Sequence, residues 1–307
     1  MVTRPSPSLV RRRLAAGLPA AAIPWPAAAD DAFPVTVRDA AGRSVTIASP
    51  PQRIVPVFPS NVEIVHALGL GSRVVAIGGR VRWPPEAMDK PSIGGAVGYS
   101  PEAAAQHHPD LLVVTPSHHS ALALADAFER LGTPVLQLAH PDLPSVLRNL
   151  LLLGRATGTL ARARQLASDF EAQLASIRAA WQGRSVPTVY LETAAAERGA
   201  FQTIGAGHYA NDALAWAGGR NVFEDLRGSV QVSAEAIAAR DPEVIVSLQQ
   251  RPRPAAAIAA RPGWSSLRAV RTGRVVVLAR GHALIPGPRQ VDAVRAYAQA
   301  LHPGAFA

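Results

Sequence analysis

LPSVLRNLLLLGRATGTLARARQLASDFEAQLASIRAAW, residues 143–181, carries no strand pattern. Leu147, Leu150, Leu151, Leu160, Leu166, Phe170, Leu174 and Ile177 recur roughly every three or four positions, the period of one buried helix face. Pro144 stands where a helix begins, and the only glycines are Gly154 and Gly158. The stretch predicts one long helix, or two with a kink between Gly154 and Gly158. At 1.5 Å per residue, ~35 residues reach about 50 Å, enough to pass from one lobe to another.

On both sides of it, strand and helix alternate at the spacing of βα units around a parallel sheet. Residues 36–47 alternate apolar and polar around Ala41-Gly42, a hairpin pattern. A short buried strand is expected at 53–57. A helix to Leu68 follows, capped by Ser60-Asn61, with Glu63 at the capping-box spacing. Strands are expected at 74–77, 110–115 and 135–138, and helices at 101–107 and 121–131. After Gly183 the expected strands are 188–192, 244–248 and 274–278. Helices are expected at 209–217, 234–239 and 288–301, with a helical turn at 264–269. The reading is an α/β fold of two lobes with mainly parallel sheets, joined by a single long helix. Its divisions are a signal peptide at 1–29, an N-terminal lobe at 30–140, the connecting helix at 141–182 and a C-terminal lobe at 183–307.

The two lobes repeat a local pattern. Ser100-Pro101-Glu102 precedes Pro109-Asp110-Leu111-Leu112-Val113-Val114, and Ser233-Ala234-Glu235 precedes Asp241-Pro242-Glu243-Val244-Ile245-Val246. In each, Ser-x-Glu opens a short helix and a Pro–acid pair leads into a buried strand.

Composition narrows the function. Of 307 residues 48% are hydrophobic and 17% charged, which excludes a disordered chain. With no cysteine there is no disulfide, thiol nucleophile, cysteine zinc site, iron–sulfur ligand or lipid-modified cysteine. The net charge of +9 is partly local, since Arg4, Arg11, Arg12 and Arg13 lie in an acid-free N-terminus. No basic run marks the body of the chain, so no nucleic-acid partner is expected; the residual positive balance favours, weakly, an anionic ligand. The basic start, the apolar run 14–23 and Ala27-Ala28-Ala29 follow the order of a cleavable export signal. Cleavage is expected near Ala29, giving a periplasmic protein that is not a lipoprotein. Arg11-Arg12-Arg13-Leu14 leaves Sec and twin-arginine export both open.

DAAGRSVTIASPPQRIVPVFPSNVEIVHALGLGSRVVAIGG, SPEAAAQHHPDLLVV, AGGRNVFED, VSAEAIAARDPEVIVSL, GWSSLRAVRTGRVVVL and PGPRQVDAV cover nearly all the chain after residue 30. In that order they resemble the periplasmic substrate-binding proteins of ABC importers for iron chelates, haem and cobalamin. The resemblance implies a non-enzymatic, monomeric receptor without a cofactor of its own. Its small-molecule cargo, a metal chelate carrying iron or cobalt, would sit between the lobes and pass to an ABC permease dimer in the inner membrane. A corrinoid or ferric siderophore is expected ahead of haem. The family's two docking glutamates match Glu102 and Glu235. A helix-dipole role would account for either alone; their repetition favours docking.

Ligand contacts are expected from loops at the carboxyl ends of the strands. The candidates are Phe58, Ser60, Arg80, Trp83, Tyr99, His118 and His119 in the first lobe, and Glu192, His208, Tyr209, Gln249 and His282 in the second. A neutral imidazole of His118, His119, His208 or His282 can ligate iron or cobalt axially, and Tyr99 can ligate haem iron. A polar loop or helix cap explains the same histidines equally well. Phe58 and Trp83 suit a flat macrocycle, and Arg80, Arg82 and Arg280 suit anionic chelate groups. His66, His107 and His108 read as structural or surface residues. Two rivals remain. An exported metal-ion receptor of the same architecture would use the histidines directly. A dinucleotide enzyme is the reading of Gly205-Ala206-Gly207-His208-Tyr209-Ala210, with Asp225 at 20 residues' distance, although NVFEDLRG does not end a strand.

Overall fold

The computed structural model describes residues 32–79, 81–95, 98–116, 119–195, 200–249 and 254–306. The expected signal segment, Arg80 and His118 lie outside them, as do the side chains of Gln249 and His282.

The first described elements are the expected hairpin. Strands β1 (Val35–Arg38) and β2 (Ser44–Ile47) pair antiparallel, and alternation turns Val35, Val37 and Ile47 inward. Asp39 closes the turn by accepting from the backbone N–H groups of Ala41 and Arg43 at 3.0 Å each. Gly42 takes the left-handed conformation there, at φ +76°.

The first parallel sheet runs β3 (Ile54–Pro56), β4 (Leu111–Val114) and β5 (Val135–Gln137) in spatial as well as chain order. Around it lie α1 (Pro59–Ala67), α2 (Pro101–Ala105) and α3 (His119–Arg130). Every residue of β4 is buried, as a strand covered on both faces requires. Its alternation feeds two cores. Leu112 and Val114 join an outer cluster with Val55 and Phe128, while Leu111 and Val113 face a central one.

Two expectations fail here. The Ser60–Glu63 spacing does not make a capping box: Phe58 is the N-cap, without a side-chain cap, and Pro59 fills the first turn. Ser60, Asn61 and Glu63 are buried instead and bond elsewhere. Residues 74–77 form isolated bridges from Val74 and Ile77 rather than a strand.

The connector is two helices. Gly158, at φ +71°, ends α4 (Pro144–Thr157), and α5 (Leu160–Trp181) starts two residues later. A Cβ on Gly154 would stand 2.4 Å from the Cβ of Ala163, so the glycine leaves the room that the Ala163 methyl takes where the two helices meet. Only α5 is the long strut. Its 22 residues reach about 33 Å rather than 50 Å. Leu160, Ala163, Ala167, Phe170, Leu174 and Ile177 form its buried stripe.

The second half contains β6 (Thr188–Glu192), β7 (Ala200–Ile204), β8 (Arg220–Asn221), β9 (Ser229–Ser233), β10 (Val244–Gln249) and β11 (Val275–Ala279). Its helices include α6 (Tyr209–Trp216), α7 (Ala234–Arg240) and α8 (Gln290–Leu301). The parallel sheet has the order β8-β6-β10-β11. The antiparallel pair β7–β9 was not expected from the sequence. Val189, Leu191, Val244 and Val246 turn to the central cluster, which also takes in Leu150, Leu153, Phe170 and Leu174 of the connector. One continuous core therefore runs from the first sheet through the connector to the second.

The repeated sequence pattern is a repeated structure. Ser100 caps α2 by accepting from Ala103 N–H at 3.0 Å, and Ser233 caps α7 from Ala236 N–H at 3.2 Å. The acid before the following strand then clamps the entrance of its neighbour. Asp110 accepts from the amides of Gln52 and Arg53 at 2.7 and 2.9 Å, and Glu243 from that of Thr188 at 2.7 Å.

Candidate functional site

The carboxyl ends of β3, β4 and β5 deliver Phe58, Ser60, Thr115 and His140 to one edge of a cavity of about 490 Å³. His208 and Tyr209 at the head of α6, with Leu284, Ile285 and Pro286 before α8, form the opposite wall. Both halves of the chain thus contribute, at the sheet edge where parallel α/β folds hold ligands. Among the described residues that line it, none is charged. Its polar groups are the hydroxyls of Ser60, Thr115 and Tyr209 and two imidazoles.

Each imidazole is held by its Nδ1. The amide Nδ2 of Asn149 donates to Nδ1 of His140 at 3.1 Å, and donates to the carbonyl of Ala139 at 2.9 Å, which fixes which way the amide points. The backbone N–H of Ala210 donates to Nδ1 of His208 at 3.2 Å, so this histidine is the N-cap of α6. Burial pushes both imidazoles down to about 4, leaving them neutral at physiological pH. His208 lies against the ring of Tyr209, centroids 4.4 Å apart, and burial pushes the Tyr209 hydroxyl up.

The other expected ligand residues divide sharply. Phe58, Ser60, His208 and Tyr209 line the cavity. Tyr99 does not; it stands behind Phe58, ring to edge at 5.8 Å. His119 begins α3 and is exposed, outside the lining. Trp83 is 45% exposed on another surface, beneath the Arg289 guanidinium. Glu192, 1% exposed, is committed to Ser247 and Arg261 at 2.7 and 2.5 Å. Its carboxylate is engaged by residues of the second half of the chain and is not among the residues that line the cavity.

His140 escaped the sequence reading. It lies just beyond β5, so the strand-end rule applied to its neighbours would have found it. Leu284 to Pro286 follow no strand, and only their side-by-side placement with Tyr209 reveals them.

The glycine pattern at 205–210 has a packing role. A Cβ on Gly205 would stand 2.1 Å from the carbonyl oxygen of Leu226, and Gly207 takes φ +73°. Asp225 is paired with Arg240 at 2.7 and 2.8 Å. Glu102 and Glu235, in the first turns of α2 and α7, are both exposed. Their carboxyls are held below the usual range, Glu102 by its own backbone N–H and Glu235 by Ser233.

The model of the family described as periplasmic binding protein matches residues 54–280. The ABC transporter substrate-binding lipoprotein YvrC of Bacillus subtilis, itself uncharacterised, is 30% identical over 90% of this chain and 88% of its own. The sequence of this chain contains no cysteine. A cobalamin-binding protein of Halobacterium salinarum is 29% identical over 88% of this chain and 74% of its own. The crystal structure of a periplasmic heme binding protein from Pseudomonas aeruginosa, 30% identical, covers 82% of this chain and 93% of its own with a TM-score of 0.72. No helix among the described residues is long and apolar enough to cross a membrane. A family match over most of the chain and a two-sided cavity at the strand ends agree: the chain belongs to the periplasmic binding protein family.

Proposed function

We propose that this protein is the periplasmic receptor of an ABC importer, capturing a metal chelate in the cavity and handing it to a permease dimer without making or breaking a bond. A corrinoid is the favoured cargo. The observation that carries this choice is the lining, which among the described residues is uncharged, apolar along Phe58, Leu138 and Ile285 and polar through hydroxyls and neutral imidazoles. Carboxylate or catecholate siderophores and haem propionates call for cations at the wall. The cobalamin-binding relative supports the same order. A ferric siderophore of neutral hydroxamate type is the second reading, because it too lacks the charge that would demand an arginine. A bare-ion receptor is less well supported, since no three His, Asp or Glu side chains gather among the described residues.

Glu102 and Glu235 are the docking contacts, two exposed carboxylates on equivalent short helices for a two-fold partner. The receptor acts as a monomer. Equilibrium dialysis of the protein against cobalamin, ferric hydroxamates and haem, read by each cargo's visible absorbance, tests the ligand class. Sub-micromolar binding of cobalamin is expected. Failure of every chelate to bind would overturn the reading, and preference for haem would reverse the order.

A further inference from the structure

We propose that His140 and His208 meet the cargo as Nε2–H hydrogen-bond donors, so that the cavity takes a chelate whose metal keeps its own full ligand set and whose rim offers acceptor oxygens. This rests on the receptor reading above and adds to it how the cargo is recognised.

The hydrogen-bond partners assign the tautomers. Nδ1 of His140 accepts from an amide whose orientation the Ala139 carbonyl fixes, and Nδ1 of His208 accepts from a backbone N–H that cannot reverse. A neutral ring whose Nδ1 accepts carries its proton on Nε2. Metal-ligating histidines show the opposite pattern, with the second ring nitrogen donating to a carbonyl or carboxylate. For Nε2 of either residue to ligate iron or cobalt, the proton would move to Nδ1 and face another donor. At His208 that move would also undo the cap of α6.

The hydroxyls around His140 agree. Ser60 Oγ and Thr115 Oγ1 both donate to Oδ1 of Asn61, at 3.4 and 3.2 Å, which leaves their lone pairs toward Nε2–H of His140. Those contacts, 3.4 and 3.3 Å, are long. A cargo oxygen at an ordinary distance of about 2.9 Å makes the better acceptor. Nε2 of His208 has no hydrogen-bond partner among the described residues, and its ring lines the cavity.

The test has two arms. Nitrogen-15 spectra of the imidazoles in the free protein at pH 7 should show Nε2–H at both positions; an Nδ1–H tautomer at either would overturn the proposal. Aquocobalamin and ferric protoporphyrin, each with an exchangeable axial position, are then added. A bound probe should keep the visible spectrum of its unligated form, and an imidazole-ligated spectrum abolished by His208→Ala or His140→Ala would overturn the proposal. His208→Asn, which keeps a cap acceptor while withdrawing the Nε2–H, should weaken binding of the better probe about tenfold at unchanged melting temperature. Unchanged affinity in that variant would also count against it. If neither probe nor any other chelate binds, the receptor reading fails, and the imidazole spectra still decide the tautomers.

Discussion

Arg289 reaches from the entrance of α8 to Glu63 on α1, its Nη2 2.5 Å from Oε1 and its Nε 3.2 Å from Oε2. The pair ties together segments 226 residues apart, one from each half of the chain. The carboxylate side chain is 3% exposed and the guanidinium 26%, with Trp83 beneath it at 4.8 Å. Burial pushes the Glu63 carboxyl up, and Arg289 pulls it back down. Removing the arginine strands a buried carboxylate, whereas removing the acid frees a guanidinium that water can reach. Arg289→Ala should therefore cost about 3 kcal/mol near neutrality, more than Glu63→Gln. An acid raised by burial binds its proton more tightly when folded, so the loss should shrink as the pH falls toward 5. Urea unfolding at pH 7.5 and 5 checks both points. Equal losses in the two variants, or a pH-independent one, would mean the pair is screened by solvent.

Much of this architecture can be read along the chain, and the exceptions share a cause. DLLVV and TVYLE announce buried parallel strands because both faces of each are covered, and Thr188–Glu192 matches its expectation residue for residue. Pro144, Gly158 and the leucine spacing mark the connector, yet the choice between one helix and two rested on whether Gly158 turns left-handed, which the spacing does not specify. Ser60 to Glu63 has capping-box spacing by coincidence, since Glu63 is drawn away by an arginine that no local pattern links to it. Glu192 sits at a strand end, as a ligand residue should, but Arg261 from a distant turn claims it. Side chains whose partners lie far along the chain are the ones whose surroundings no local pattern announces.

Acid should destabilise the protein before ordinary carboxylates titrate. His140 and His208 are pushed down to about 4, against about 6.5 in the unfolded chain. Between those values the unfolded state binds more protons, so stability falls as pH drops through that window. The two residues together should cost several kcal/mol by pH 4, on the order of 2–3 kcal/mol each. His66 and His302 are lowered in the same direction and add to the slope. Melting temperatures from pH 7.5 to 4.5 should decline steadily, and His140→Gln should flatten the decline. A flat profile down to pH 5 would show that these imidazoles are hydrated in the folded protein.

Gly205 and Gly207 separate packing from phosphate binding. Gly205→Ala drives a Cβ into the Leu226 carbonyl and should cost about 3 kcal/mol, since backbone must move. Gly207→Ala meets nothing within 4 Å and should cost only about 1 kcal/mol, the strain of its positive φ. Thermal unfolding of both variants measures the difference. A reversed order would remove the packing explanation and reopen the question of what the glycine-rich turn is for.

The proposed docking role of Glu102 and Glu235 admits a cleaner test than most surface assignments, because neither residue lines the cavity. Both are exposed, and both are already served by local donors, Ser100 to Glu102 at 3.0 Å among them. Reversing their charge therefore leaves the folded core and the cargo site untouched, apart from a small cost at each helix start. Glu102→Lys combined with Glu235→Lys should abolish uptake of the chelate into cells or permease-containing vesicles while binding to the isolated receptor stays within twofold. Each single reversal should give an intermediate defect, since one carboxylate remains to hold one half of a two-fold partner. Salt should mimic the effect in the wild type, weakening delivery well before it weakens binding in a cavity whose described lining is uncharged. Full uptake by the double variant would mean that the two Ser-x-Glu turns serve only their own helices.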